Sequence, residues 1–441
     1  MLTAIRDNLH STMTAALTGS VVETVGMTVA VADFAAPVGA VVSIERETGA
    51  PAEGEVVGFR DDATIVYLVA PTTGVRRGNR VRLVRTSRTL RVGPGLLGRV
   101  IDARGKAIDG RPQPLVPDRI RQDRQSPRPV ERPRIREPLA TGVHAIDALL
   151  TCGRGQRLGI FSGSGVGKSV LLGMMSRGTN ADVIVTALVG ERGREVNEFI
   201  ERDLGAEGLS RSVVVVATSD EPALTRVHAA FTATAIAEYF RDHGRHVLLL
   251  MDSITRLAMA QREIGLAAGE PPTTRGYPPS MFALLPRLVE RAGQTREGSI
   301  TAFYNVLVEG DDETEPVTDT MRGLLDGHVW LSRKLAGRGH YPAVDVLSSI
   351  SRLMKDITTP QHQAAALTIR QLIAAYAENE DLLSIGAYRR GTNRTVDAAV
   401  DMRDAIDGLL RQAVDQSLPF ERVIEQLVSL SNQCQAKMNA G

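Results

Sequence analysis

The stretch RLGIFSGSGVGKS, residues 157–169, decides the fold of this chain. Its apolar run, Leu158 to Phe161, predicts a buried strand, and the residues from Ser169 onwards begin an apolar helix, so a glycine-rich turn joins the two. In such a turn the backbone N–H groups point at an anion, and the helix adds the positive end of its dipole at the same place. Lys168 then reaches the outer phosphates, and the Ser169 hydroxyl ligates Mg²⁺. We therefore predict a phosphate loop for a nucleotide, made of Ser162, Gly163, Ser164, Gly165, Val166, Gly167, Lys168 and Ser169.

One position departs from the standard pattern, G-x-x-x-x-G-K-[ST], because Ser162 stands where the first glycine is expected. Serine is small enough for the turn, so we predict a tolerated variant and not an inactive loop. A glycine-rich turn before a helix also arises by chance. Here the strand, the glycines, the Lys-Ser pair and the helix all agree, which favours the phosphate loop.

Composition bounds the function classes that the chain can belong to. Its 441 residues are enough for roughly two to four domains. The 52 basic and 51 acidic residues give a net charge of +1, and aromatic residues make up only 4%, so neither charge nor base stacking favours a nucleic-acid partner. Cys152 and Cys434 lie far apart without metal-ligand spacing, which fits a reducing compartment. The sequence shows no signal-peptide pattern and no apolar run of transmembrane length, so we expect a cytoplasmic protein.

The N-terminal part differs in sequence pattern from the rest of the chain. Residues 1–17 read as a short amphipathic helix, which is either a packed terminus or a docking helix for a partner such as a regulator. Residues 18–92 consist of short β-rich runs bounded by Gly, Pro or Asp, the pattern of a small β-barrel. The few aromatic residues of these runs are not interleaved with basic ones, so we predict an oligomerisation domain and not an oligonucleotide-binding barrel.

Residues 93–360 read as the nucleotide-binding domain. An irregular segment near their start, residues 112–138, contains seven prolines and seven arginines and predicts a connection across the domain surface. Beyond the phosphate loop, apolar strands alternate with a helical pattern, which predicts an α/β fold with a parallel sheet; these segments are 182–190, 211–218, 222–243 (helix) and 246–252. Residues 361–441 are mainly helical and form a C-terminal domain.

Two acidic residues at strand ends complete the predicted site. Asp252 ends the strand at 246–252 and would hold the Mg²⁺ shell, directly or through water. Glu191 follows the strand at 182–190, at the sheet edge where ligands bind, and would polarise the attacking water. Arg192 either joins the site or forms an ordinary surface ion pair with Glu191. No further positive charge lies near the loop in sequence, so we expect an arginine from a neighbouring subunit.

The segment HYPAVDVLSSISR, residues 340–352, resembles the signature of the rotary ATPase α/β superfamily. The resemblance covers nearly the whole chain and implies a RecA-like parallel-sheet nucleotide-binding domain with an N-terminal small β-barrel and a C-terminal helical domain. It implies that Arg352 is inserted into the adjacent subunit's site and that Tyr341 flanks the adenine of ATP. It also implies a homohexamer, and it assigns the roles given above to Lys168, Ser169, Glu191, Arg192 and Asp252.

Two further stretches are similar to one branch of that superfamily, the type III protein-export ATPases. These are PPTTRGYPPS at 271–280 and EGDD at 309–312. The similarity implies a motor of the flagellar export apparatus that uses Mg²⁺ and ATP to release and unfold chaperone-bound substrates. It also implies a coiled-coil stalk protein in the central channel, facing residues 271–280. An export-gate membrane protein and chaperone–substrate complexes would dock near residues 361–441, at the cytoplasmic face of the inner membrane.

Four alternatives stay open. An injectisome ATPase is the nearest of them. An ATP-synthase catalytic subunit is disfavoured by the YPPS and EGDD stretches, and a hexameric RNA translocase by the shortage of stacking aromatics in the barrel. A nucleotide-binding subunit without activity is disfavoured because Lys168, Glu191 and Arg352 are all present.

Overall fold

The computed structural model describes residues 17–308, 310, 312 and 314–439. Of the helix predicted over residues 1–17, all but Leu17 lies outside the described residues. Within them, the chain forms a closed β-barrel, a largely parallel sheet covered by helices on both faces, and a C-terminal group of helices. This architecture confirms the predicted fold class.

Six antiparallel strands close the N-terminal barrel in the order β1-β2-β5-β4-β3-β6. Their bounds are β1 (Thr18–Val25), β2 (Thr28–Ala32), β3 (Val41–Ile44), β4 (Ala52–Arg60), β5 (Ala63–Leu68) and β6 (Arg80–Arg85). Alternate side chains of a strand point to the same side, and Val29 and Val31 of β2 are both fully buried inside the barrel. Closure of the ring leaves none of these strands with a free edge.

The remaining strands of the described residues form short ladders or belong to the central sheet. They are β7 (Thr89–Val92), β8 (Arg99–Asp102), β9 (Asp118–Arg121), β10 (Pro138–Leu139), β11 (Cys152–Gly153), β12 (Arg157–Ser162), β13 (Val183–Glu191), β14 (Ser212–Thr218), β15 (His246–Asp252), β16 (Gly293–Gln294), β17 (Ser299–Leu307), β18 (Gly327–Leu331) and β19 (Val344–Ser351). β7 pairs with β9, and β10 pairs with β11. The predicted connecting segment, residues 112–138, contains little regular structure besides β9.

The central sheet has the strand order β19-β18-β12-β17-β15-β13-β14-β8, with β16 paired to β17. All neighbours from β18 to β8 are parallel, whereas β19 runs antiparallel to β18 at one side of the sheet. The carboxyl ends of β12, β13, β15 and β17 therefore meet at one edge, the edge at which ligands bind in sheets of this kind. We call it the carboxyl edge.

The helices of the described residues follow the strands in alternation and then form the C-terminal group. They are α1 (His144–Leu149), α2 (Lys168–Gly178), α3 (Gly193–Glu198), α4 (Gly205–Ser210), α5 (Ala223–Asp242), α6 (Ile254–Ala268), α7 (Pro279–Val289), α8 (Pro316–Leu324), α9 (Arg333–Gly337), α10 (Met354–Ile357), α11 (Pro360–Ser384), α12 (Arg394–Asp401), α13 (Arg403–Leu410) and α14 (Phe420–Asn439). A π-helical turn, Phe199–Leu204, joins α3 to α4. No helix in the described part of the chain is both long enough and apolar enough to cross a membrane.

Helices cover both faces of the central sheet, which explains why β13 is almost continuously apolar, with Thr186 as the one polar residue before Glu191. Val183 and Val185 pack into the core that contains residues of α5, α6 and α7. Ile184 and Leu188 pack into the core on the other face, which contains residues of α1, α2 and the C-terminal helices α11 to α14. A strand buried on both faces has a nearly continuous apolar sequence. The predicted strands therefore match β13, β14 and β15 to within one residue at each end.

Candidate active site

The phosphate loop joins β12 to α2 at the carboxyl edge of the central sheet. Gly165 (φ 79°) and Gly167 (φ 90°) adopt the left-handed backbone region, which residues with a Cβ rarely enter. α2 begins at Lys168, one residue before the predicted start. The loop therefore curls into the N-terminus of a helix, the arrangement that binds phosphate through backbone N–H groups.

Ser162 and Gly163 form the entrance to the loop. The Ser162 side chain is buried, and its hydroxyl has no hydrogen-bond partner among the described residues. A Cβ on Gly163 would lie 2.5 Å from Nε and Nη2 of Arg333, so the guanidinium of Arg333 lies directly against the loop. Arg333 is the first residue of α9, just after β18, the neighbour of β12. No sequence motif marks Arg333; only its place after that neighbouring strand does.

Lys168 lies between two carboxylates at the carboxyl edge. Its Nζ is 2.7 Å from Asp252 Oδ1 and 3.4 Å from Glu191 Oε1. Asp252 is the last residue of β15 and Glu191 the last residue of β13, and because these neighbouring strands are parallel, both side chains reach the same edge. Both carboxylates are buried. The structure therefore brings together the lysine and the two acids that the sequence singles out.

Burial and mutual charge set the protonation of this cluster. Burial alone would lower the pKa of Lys168, but the charges of Asp252 and Glu191 outweigh it, and the pKa is raised. The pKa of Glu191 is raised to about 7, first by burial and then by the charge of Asp252, against the opposing charges of Lys168 and Arg256. Lys168 therefore stays charged near neutral pH, whereas Glu191 exchanges its proton there. A carboxylate with a pKa near the working pH is suited to act on the proton of a reacting water.

Arg256 and Asn305 complete the cluster. Arg256, in the first turn of α6, places Nη1 3.2 Å from Glu191 Oε2 and also donates to the Gly190 carbonyl. Asn305 of β17 donates from Nδ2 to Asp252 Oδ1 over 2.8 Å. Arg256 thus orients Glu191, and Asn305 orients Asp252. The sequence signal for Arg256 is its place four residues after Asp252, in the first turn of the following helix. Asn305 has no such signal, since β17 meets β15 only in the folded sheet.

Oxygen atoms suited to Mg²⁺ lie beside the loop. Asn305 Oδ1 is buried and has no hydrogen-bond partner among the described residues, and its amide contacts the Asp252 carboxylate. Ser169, the second residue of α2, adds a hydroxyl at the start of the helix. A carboxylate, an amide oxygen and a hydroxyl are hard oxygen ligands of the kind that Mg²⁺ takes together with water and phosphate oxygens. The residues present therefore fit Mg²⁺ bound with a nucleotide.

Arg192 and Tyr341 lie at the margin of the site. The exposed Arg192 side chain pairs with Glu195 at 3.6 Å, so within the described residues its ion pair is not with Glu191. Tyr341, shortly before β19, lies beside the loop, since a Cβ on Gly167 would be 3.6 Å from the tyrosine ring. Tyr341 is 47% exposed, which leaves room for a planar group at the end of the phosphate loop.

Arg352 lies at the edge of the sheet opposite the phosphate loop. Val344, at the start of β19, pairs with Leu331 near the carboxyl edge, whereas Ser351, at its end, pairs with Gly327 at the other edge. The eight residues of β19 span roughly 25 Å at about 3.3 Å per residue. Arg352 is exposed and cannot reach Lys168 of its own chain. A catalytic role for Arg352 therefore requires a second copy of the chain.

Known proteins resemble this chain over most of its length. Residues 142–351 match the family model described as the ATP synthase alpha/beta family, nucleotide-binding domain, and residues 358–429 match the T3SS EscN ATPase C-terminal domain. The chain is 54% identical over 385 residues to the flagellum-specific ATP synthase of Bacillus subtilis (strain 168), covering 87% of this chain and 88% of that protein. It is 49% identical over 415 residues to the type 3 secretion system ATPase of Xanthomonas euvesicatoria, covering 94% of each.

The fold is likewise similar to a solved structure. This is the assembled ATPase EscN in complex with its central stalk EscO, from the type III secretion system of enteropathogenic E. coli. The TM-score is 0.87 at 43% sequence identity, and the match covers 94% of this chain and 100% of that one.

Proposed function

Because this chain belongs to the family of flagellum-specific ATP synthases and type 3 secretion system ATPases, we propose that it is the motor of a flagellar export apparatus. The chain is an ATPase of protein export; its assignment to the flagellum, and the use of hydrolysis to release and unfold chaperone-bound substrates, are our proposals. The observation that carries ATP hydrolysis is the cluster of Lys168, Asp252 and Glu191 beside the phosphate loop.

Each residue of the cluster receives one role in this proposal. Lys168 and the backbone N–H groups of residues 162–169 bind the outer phosphates of ATP. Ser169 and Asp252 hold Mg²⁺, which supplies positive charge to the phosphate oxygens when bound. Glu191 polarises the attacking water, and Arg256 keeps its carboxylate in place. The short distances, the burial and the raised pKa of Glu191 support these assignments.

Three residues act at the margin of the site. Arg352 of a neighbouring copy supplies positive charge to the transferring phosphoryl group. Arg352 lies far from the phosphate loop of its own chain, which supports a role between two chains. Arg192, which directly follows Glu191 and has an exposed side chain, takes part in catalysis beside it. Tyr341 flanks the adenine, an assignment supported by its exposed ring beside Gly167.

We propose a homohexamer around a coiled-coil stalk protein, with the exposed loop within residues 271–280 facing the central channel. The relative EscN is assembled and forms a complex with its central stalk EscO, which supports an oligomer of this chain and a stalk protein as its partner. Residues 361–441 would face the export-gate membrane protein and chaperone–substrate complexes, and residues 1–17 would bind a regulator. The hexamer would work in the cytoplasm, at the cytoplasmic face of the inner membrane. The proposal includes no nucleic acid.

We propose domain boundaries after residues 17, 92 and 360, which separate the segments for regulator binding, oligomerisation, ATP hydrolysis and partner docking. All strands of the closed barrel lie between Thr18 and Arg85, which supports the first boundary. Helix α11 begins at Pro360, which supports the last boundary. β7 pairs with β9 outside the ring, so the middle boundary falls in the ladder that joins the barrel to the central sheet.

Deleting the gene from its own organism is expected to abolish flagellar filaments and swimming. The wild-type chain should restore both, and the Glu191→Gln chain should not, because that variant keeps the shape of the site but loses its carboxylate. Electron microscopy of cells and a soft-agar swimming assay measure the outcome. Normal filaments, together with the loss of a different set of secreted proteins, would assign the chain to an injectisome instead.

The pH dependence of hydrolysis tests the role of Glu191. Only the ionised carboxylate can take up the proton of the attacking water, and the pKa of about 7 leaves Glu191 increasingly protonated as the pH falls. We therefore expect kcat/KM to rise roughly tenfold per pH unit below about pH 7 and to level off above it. The residual rate of Glu191→Gln should not show this rise with pH. A wild-type profile that is flat between about pH 6 and about pH 8 would contradict a titrating Glu191 in catalysis.

A further inference from the structure

Gln412 lies between the C-terminal helices and the phosphate-loop side of the nucleotide-binding domain. It follows α13 and is only 5% exposed. Its Oε1 accepts a hydrogen bond from the His144 N–H at 2.9 Å, and its Nε2 donates to Gly142 O at 2.8 Å and to Gln416 O at 2.7 Å. Both ends of this buried amide are therefore paired, which fixes its orientation.

The backbone of the same residue holds Tyr341. The Gln412 N–H donates to the Tyr341 carbonyl at 3.0 Å. The neighbouring residues repeat this link, since Arg411 Nε donates to His340 Nδ1 at 3.4 Å and His340 lies 3.8 Å from Asp407 of α13. The segment that carries Tyr341 is thus attached to the C-terminal helices as well as to the sheet.

This attachment matters because Tyr341 is 47% exposed. A ring that other side chains enclose only partly takes its position from its own backbone. The carbonyl of Tyr341 is bound by Gln412, and the amide of Gln412 is bound to Gly142 and His144, which lie at the start of α1. Through this chain of hydrogen bonds, the distance from Tyr341 to Gly167 of the phosphate loop depends on Gln412.

We propose that Gln412 is a positioning residue for the nucleotide base: it holds Tyr341 in place relative to the phosphate loop without touching the nucleotide. The inference rests on the proposed contact between Tyr341 and the adenine. Through Gln412, the orientation of the C-terminal helices sets the affinity of the site for the base and leaves its affinity for phosphate unchanged.

Calorimetric titrations with Mg-ADP and with Mg-pyrophosphate separate base binding from phosphate binding. The variants are Gln412→Ala and Gln412→Met; methionine keeps most of the volume without the hydrogen bonds, so it remains informative if the alanine variant does not fold. We expect both to weaken Mg-ADP binding by about 5- to 10-fold and Mg-pyrophosphate binding by less than about twofold, since one base–aromatic stack contributes a factor of at least this size. Tyr341→Ala should give the same pattern.

Gln122 offers a matched control. It is a buried glutamine, 7% exposed, whose Nε2 donates to His228 O at 3.0 Å and to Thr232 Oγ1 at 2.7 Å on α5, beside the barrel. Gln122→Ala should leave the ratio of the two affinities at its wild-type value. An unchanged ratio in the Gln412 variants with an altered ratio in Tyr341→Ala would overturn the positioning role and keep the proposed base site. An unchanged ratio in Tyr341→Ala would overturn the base site and this inference with it.

Discussion

Lys168→Ala is expected to lower the ATP turnover number by about 10²–10³-fold, the loss typical when one charged or hydrogen-bonding stabiliser of a transition state is removed. Lys168 is the cation between the phosphate loop and two carboxylates, at 2.7 Å from Asp252 and 3.4 Å from Glu191. Without it, an incoming triphosphate meets two buried acids with no ammonium group between them. The loss should therefore appear in turnover and in nucleotide affinity together. Steady-state ATP hydrolysis and calorimetric titration with Mg-ADP measure the two quantities.

The same substitution also changes the free protein, which calls for a folding control. Asp252 and Glu191 would remain buried with less compensating charge, and uptake of a proton by Glu191, whose pKa is already raised, limits the cost to folding. The unfolding temperature and far-UV circular dichroism should therefore stay close to those of the wild type. Lys437→Ala, at an exposed lysine of α14, is the matched substitution that keeps wild-type turnover. Wild-type turnover in Lys168→Ala itself would exclude this loop as the ATPase site.

The sequence predicts the Lys168 cluster because each member stands at the end of an element that a local pattern reveals. Lys168 follows a glycine-rich turn, and Glu191 and Asp252 each end a nearly continuous apolar strand. The carboxyl ends of parallel strands share one edge, so the three residues converge once the sheet is parallel. The alternation of strands and helices in the sequence predicts that the sheet is parallel.

Residues that lie near the site only because of the strand order cannot be predicted from local sequence patterns. Asn305 contacts Asp252 only because β17 lies beside β15. Arg333 lies against Gly163 only because β18 borders β12 on the other side. Strand order results from the packing of helices over the whole sheet, and no local periodicity encodes it. For the same reason the contact between Gln412 and Tyr341 emerges only from the folded chain.

Arg352→Ala and Glu191→Gln are each expected to be nearly inactive alone, and a mixture of the two is expected to regain activity. An arginine that stabilises a transferring phosphoryl group contributes about 10³–10⁵ in rate, so Arg352→Ala should lose at least about 10³-fold. In a head-to-tail ring, a site is complete when an intact Glu191 faces a neighbour with an intact Arg352. Random assembly of an equal mixture gives about a quarter of such interfaces, and about that share of wild-type turnover.

The control for this mixture replaces Glu191→Gln with the double variant Glu191→Gln/Arg352→Ala, in which no chain carries an intact arginine, so activity should not return. The specific activity of the wild type should rise with protein concentration, because sites form only when chains associate. Since β19 separates Arg352 from its own phosphate loop, any regained activity must come from sites built by two chains. Wild-type turnover in Arg352→Ala alone, unchanged by protein concentration, would place Arg352 outside catalysis and leave the cluster of Lys168 as a site complete within one chain.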